Sequence, residues 1–161
     1  MTAGSVSPPP AWVDPTCRRK EAVMAKTIAE VMRPNPVTCH TDSEIREAAQ
    51  LMRDQAIGDV VVVDDTGVRG IVTDRDLVIR GLAAGYDASA RVGDVCSEGL
   101  VTLESQADVA QAVETMRSQA LRRIPVVDGN QLVGIVSIGD LAMSEDPKSA
   151  LADISAAPPN S

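Results

Sequence analysis

Two short patterns carry most of the chemistry this sequence offers. Thr73 is followed three residues later by Asp76, and Ser137 by Asp140. At the start of a helix, such a hydroxyl stands beside free backbone N–H groups and the positive end of the dipole, which suits an anion. The carboxylate one turn along shares that face and can accept both hydroxyls of a ribose. The same four residues also fit a purely structural role, with Thr and Ser capping the helix and Asp favouring its dipole. Arg122 and Arg123 precede a β-branched run, where they could reach a phosphate from the edge of a cleft. The thiols offer less. Cys17, Cys39 and Cys96 form no C-x-x-C, and with one histidine, His40, they match no familiar zinc spacing. Cys39 and His40 are neighbours in an extended segment, so they point to opposite faces and cannot work as a catalytic pair. The three read as free thiols in a reducing compartment. With no nucleophile–base set and no metal cluster, the chain is not expected to be an enzyme or to carry a cofactor.

These residues recur because the chain repeats itself. Shifting the sequence by 64 residues aligns Val31–Leu77 with Val95–Leu141 without a gap, and sixteen of the 47 pairs are identical. Val37-Thr38 meets Val101-Thr102, Val62-Val63-Asp64 meets Val126-Val127-Asp128, and Gly70-Ile71-Val72 meets Gly134-Ile135-Val136. A gapless repeat of this length means one supersecondary unit used twice.

Each copy has the same elements. Thr41-x-x-Glu44 and Ser105-x-x-Asp108 have the form of helix starts with an acidic residue three positions on. The stripes that follow, Ile45, Ala48, Ala49, Met52 and Val109, Ala112, Val113, Met116, have the spacing of one buried helix face. Val60–Val63 and Val68–Val72 are split by Asp64-Asp65-Thr66-Gly67, and Ile124–Val127 and Leu132–Val136 by Asp128-Gly129-Asn130-Gln131, which predicts two hairpins. A second helix begins after Thr73 or Ser137, capped by that hydroxyl. The order is short strand, helix, strand, strand, helix, twice over. Gly81–Gly93 is the linker between copies, and Ala88–Arg91 within it reads as surface loop.

Composition agrees with an α/β fold and excludes other classes. The 161 residues are 44% apolar, yet include no Phe, one Trp and one Tyr, so the core rests on Val, Ile, Leu and Ala. A net charge of −8 argues against a nucleic-acid partner. No apolar run is long enough to span a membrane, and residues 1–23, with Pro8-Pro9-Pro10, lack the apolar stretch of a secretory signal. A cytoplasmic protein is expected. Residues 1–23 and 145–161 lie outside the repeat and read as mobile ends. Lys20-Glu21 can be encoded by a purine run resembling a ribosome-binding site upstream of Met24, so translation is expected to start at Met24 rather than Met1.

The run Gly70-Ile71-Val72-Thr73-Asp74-Arg75-Asp76 and its partner Gly134-Ile135-Val136-Ser137-Ile138-Gly139-Asp140 resemble the G-h-h-T/S-x-x-D signature that closes a CBS domain. Arg122-Arg123-Ile124-Pro125-Val126-Val127-Asp128 resembles that family's R-h-P-V-h-D stretch. The chain is similar to short stand-alone actinobacterial pairs of the hypoxic response protein type. The resemblance implies two tandem β-α-β-β-α domains, over residues 27–85 and 91–144, packed through their sheets with pseudo-two-fold symmetry. It implies adenosine-ligand clefts between the copies, an AMP, ADP or ATP ligand, and a homodimer that regulates a protein partner. The ligand residues would be Thr73, Asp76, Ser137, Asp140, Arg122 and Arg123. Thr38 and Thr102, with Val37 and Val101, would line base and sugar through backbone groups, with walls from Ile57 and Leu121. Where copy two has Arg122, Arg123 and Pro125, copy one has Gly58, Asp59 and Val61, so the clefts cannot be equivalent, and an acidic Asp59 would repel phosphate. The competing expectation is a ligand-free stress-response or interaction scaffold on the same pair.

Overall fold

The computed structural model describes residues 26–97 and 99–158. The extension over residues 1–23, the Met24 start and Cys17 lie outside the described residues.

The first copy contributes strand β2 (Thr38–His40), helix α1 (Ile45–Gln55), and the hairpin β3 (Asp59–Asp64) and β4 (Gly67–Thr73). A short helix α2 (Asp74–Asp76) then runs directly into a wider π-type turn over Leu77–Gly81. The second copy contributes α3 (Val109–Gln119), β5 (Arg123–Asp128), β6 (Gln131–Ser137) and α4 (Ile138–Glu145). Both hairpins turn where expected: Gly67 and Gly129 adopt positive φ, and the Thr66 amide donates to Asp64 Oδ1 at 2.8 Å. In copy one β2 pairs parallel with β3, which pairs antiparallel with β4. In copy two the matching short strand shrinks to a single parallel bridge, Leu103 to Val126.

The third strand of the second sheet comes from elsewhere. β1 (Arg33–Pro34), in the leading segment of the first copy, pairs antiparallel with β6. Ile28, in a 3-10 turn over Ile28–Glu30, is fully buried with Leu103, Val109, Met116 and Val136 in the second core. Reciprocally, Val92 and Val95 are fully buried in the first core with Cys39, Ala48, Met52 and Val60. Each copy's leading segment therefore completes the other copy's core, so Ala88–Arg91 is no free loop. The carbonyls of Ala90 and Ala88 accept from the Ile45 and Arg46 amides at 2.8 and 3.1 Å, and Lys26 O accepts from the Val109 amide at 3.0 Å. These crossing segments take the place of the caps read from Thr41 and Ser105: the residues preceding the helices are Glu44 and Asp108, neither with a side-chain cap bond. Ser105 instead is buried, donating from Oγ to Asp128 at 2.9 Å.

This close crossing explains the glycine that opens each closing signature. A Cβ on Gly70 would stand 2.6 Å from Ser97 O, and one on Gly134 would stand 3.0 Å from Arg33 O. Only glycine lets the crossing backbone lie against the strand. At the C-terminal end, the sequence suggested a mobile tail over 145–161, but Ala150–Ala156 form a further helix, α5. Ser149 caps it, and Ala152 is buried, with Ser155 set against Gly139 of α4.

Candidate ligand clefts between the two copies

The expected second helices do start at Thr73 and Ser137, and both are locked by a reciprocal capping box. Asp76 Oδ2 accepts from the Thr73 amide at 3.0 Å and from Thr73 Oγ1 at 2.7 Å, while the Asp76 amide donates to Thr73 Oγ1 at 3.2 Å. Asp140 repeats this with Ser137 at 2.8, 2.5 and 3.3 Å. The expectation of free amides beside Thr73 does not hold. The Asp74 amide donates to Gly58 O at 3.1 Å, and the Arg75 amide to Asp74 Oδ1 at 2.7 Å. With these donors occupied, an anion near Thr73 must be met by side chains rather than by the helix end.

Two clefts open between the copies, and they differ in size and charge. The larger, about 680 Å³, is lined by Thr73, Asp74 and Arg75 from copy one and by Arg122, Arg123, Leu121 and Pro125 from copy two, with Val101 and Ser97 between them. The smaller, about 280 Å³, sets Ser137 and Asp140 of copy two against Val37, Ile57 and Asp59 of copy one, with Arg33 and Arg123 at its edge. Pairing across the copies thus puts the two arginines with Thr73 rather than with Ser137. Asp59, expected to repel phosphate, sits in the smaller cleft and is bridged by Arg123 Nε at 2.7 Å. Burial pushes the Asp59 carboxyl up from the ordinary carboxylate range, with Arg123 and Arg33 opposing that shift. Asp140, 5% exposed, accepts from Arg33 Nε at 2.9 Å. Two ion pairs therefore line the smaller cleft, whereas in the larger one Arg122 and Arg75 form no ion pair among the described residues.

The other sequence candidates divide. Leu121 walls the larger cleft and Ile57 the smaller, but neither cleft is lined by Asp76, Thr38 or Thr102. Asp76 lies behind Thr73, 3.5 Å from Arg80 Nε. Thr38 is exposed on β2, and Thr102 is half-buried beside the cleft residue Val101. The Val37 carbonyl is taken by the Val61 amide at 3.0 Å, so the sheet uses that backbone acceptor.

A model of the CBS domain matches residues 28–81 and again 92–146. The chain belongs to the CBS-domain family. It carries the domain twice, as a tandem CBS pair. It is similar to the uncharacterized protein YlbB of Bacillus subtilis, 41% identical over 134 residues that cover 80% of this chain and 90% of the relative. Hypoxic response protein 1 of Mycobacterium tuberculosis is 38% identical over 109 residues, covering 66% of this chain and 76% of that one. Among solved structures, Hypoxic Response Protein I with two coordinated zinc ions superposes with a TM-score of 0.67 at 33% identity, covering 73% of this chain and 97% of its own. CBSX2 in complex with AMP gives 0.66 at 22% identity, covering 74% and 96%, a likeness of fold. Among the described residues of this CBS pair, no three His, Cys, Asp or Glu side chains cluster as metal ligands, and no helix is long and apolar enough to cross a membrane.

Several residues of the pair's clefts escaped the sequence reading. Arg33 lies outside either hairpin, and only the crossing of β1 brings it to Asp140. Ser97 reaches the larger cleft in the same way, its amide donating to Ile71 O at 3.1 Å. No local pattern around either residue signals a cleft. Asp74 and Arg75 sit within the CBS signature itself and could have been read from their place between Thr73 and Asp76.

Proposed function

We propose that this CBS pair is a regulatory module that takes an adenosine nucleotide into the larger cleft and passes its occupancy to a protein partner. The observation that carries this reading is the composition of that cleft: Arg75, Arg122 and Arg123 line a space walled by Ile71, Leu100, Leu121 and Pro125, with Thr73 and the one acid Asp74 also in its lining. About 680 Å³ lies within the range of small-ligand sites, and apolar walls with few convergent polar groups are their usual lining. Guanidinium groups suit a phosphate. The hydroxyl of Thr73, steadied by Asp76, faces the sugar, and the aliphatic walls receive the base. AMP bound to the fold neighbour CBSX2 supports the choice of ligand class. The smaller Ser137–Asp140 cleft is the secondary site, its charged groups already paired with one another.

The module works as a homodimer in this reading. Two positions of the helix stripes read as buried, Ala49 and Val113, are exposed, Val113 by 43%, and so are Val78, Ile79 and Leu82. Val78 and Leu82 line an apolar groove of about 430 Å³ beside α1 and the turn at Leu77–Gly81, and Val113 lines one of about 410 Å³ between α3 and α4. Exposed apolar faces of this kind mark contact surfaces. Light scattering at tens of micromolar should give the mass of two chains; a monomer mass removes the dimer.

Calorimetric titration with AMP, ADP and ATP tests the ligand. Arg122→Ala and Thr73→Val should each weaken binding, Arg122→Ala by roughly ten- to a hundredfold, the loss of a charge-assisted hydrogen bond. Nucleotide binding that both variants leave unchanged overturns the assignment of the cleft. A wild-type protein that binds none of the three leaves the scaffold reading in its place.

A further inference from the structure

Positions 59 and 123 are equivalent in the repeat, one a carboxylate and one a guanidinium, and the fold brings them together at the seam between the copies. Arg123 lines both clefts, while Asp59 lines only the smaller. Their contact, Nε to Oδ1 at 2.7 Å, is partly sheltered, with side chains 38% and 15% exposed. The neighbouring Gly58 is closely packed on the cleft side: a Cβ there would stand 3.6 Å from Asp74 Oδ2 and 4.0 Å from Arg123 Nη2. Asp59 has a second cation nearby in Arg33, which is itself held by Asp140 at 2.9 Å. The charges therefore form a row from one cleft to the other, with Arg123 at the end that faces the larger.

We propose that Asp59 is a built-in competitor of phosphate, so that an anion entering the larger cleft takes the Arg123 guanidinium from Asp59 and thereby loosens the smaller cleft. One guanidinium cannot serve both carboxylate and phosphate with full bidentate geometry. The free protein thus binds an anion less tightly than the cleft's three arginines would allow, and the difference is set by the strength of the Asp59 contact. Occupancy of one cleft then changes the charge in the other, a coupling carried by a single side chain with two positions. This inference rests on reading the larger cleft as a phosphate site.

The test compares full-length wild type, Asp59→Asn, Arg123→Gln and the double variant by calorimetry, with AMP and inorganic pyrophosphate as probes. Thermal unfolding confirms folding, and Asp59→Ser serves as a second variant if Asp59→Asn does not fold. Asp59→Asn should bind both probes about tenfold tighter than wild type, and the double variant should lose that gain. Wild-type binding that Asp59→Asn and Asp59→Ser leave within about twofold overturns the competition while leaving the cleft assignment standing. If neither wild type nor the Asp59 variants bind any probe, the phosphate site itself is wrong, and the competition falls with it.

Discussion

Replacing Ile28 by alanine tests the crossed architecture directly. Ile28 precedes the first repeat, yet it is fully buried in the core of the second, beside Leu103, Val109 and Leu141. Backbone bonds pin it there: its amide donates to Ala107 O and the Ala29 amide to Ser105 O, both at 2.8 Å. Those contacts prevent the segment from collapsing into a vacated space. Truncating a buried Ile to Ala costs about 2–5 kcal/mol, and poor relaxation pushes the value upward, so we expect about 3–4 kcal/mol. With a urea slope of about 2 kcal/mol/M, the midpoint should fall by roughly 1.5–2 M. Circular dichroism is the suitable probe, since the one tryptophan, Trp12, lies outside the described residues. The neighbouring exposed Glu30→Ala is the control. Hydrogen exchange should show the loss first at β5 and β6, in the distant copy. A midpoint shift below about 0.3 M, equal to the control, would mean that Ile28 does not fill the second core.

Three further outcomes follow from local geometry. Gly70→Ala should destabilise the protein by about 1–3 kcal/mol in the same urea assay, because its Cβ would meet the Ser97 carbonyl at 2.6 Å; unchanged stability would contradict that close approach. Ala56 ends α1 with φ at 52°, so Ala56→Gly should stabilise by about 1 kcal/mol, and a lowered midpoint would refute the strain argument. Burial raises the Cys39 thiol to about 11, so at pH 8 the folded protein should keep it protonated and resist iodoacetamide, with labelling growing only as pH approaches that value. Peptide mass spectrometry that finds Cys39 alkylated at pH 8 in folded protein would contradict its burial.

What the sequence made legible was whatever is encoded by local spacing. The two hairpins, the helix stripes and the capping hydroxyls at Thr73 and Ser137 depend on residues within a few positions of one another. The crossing segments do not. Ile28 and Val92 sit in short runs with no periodicity, and their destination is a core built by the other copy. The caps of α1 and α3 were misread for the same reason, since the groups that meet the first amides, Ala88, Ala90 and Lys26, lie far along the chain or before the repeat. The clefts were legible in composition but not in pairing. Arg122, Arg123 and Ser137 belong to one copy, and the sequence places them near each other, whereas the pseudo-two-fold packing sets the arginines against Thr73. Burial of Ala152 then converts the expected loose tail into a helix packed on α4, an effect too short in sequence to show a pattern.

The central claim is that nucleotide enters the cleft shared by Thr73 and Arg122. Backbone amide shifts of the isotopically labelled protein, followed as AMP is added, report on it most directly. The account predicts the largest shifts at Thr73–Arg75, Ser97 and Leu121–Arg123, with smaller ones following at Asp59. Shifts centred instead on Ser137, Asp140 and Val37, or no shifts at millimolar AMP, would contradict it.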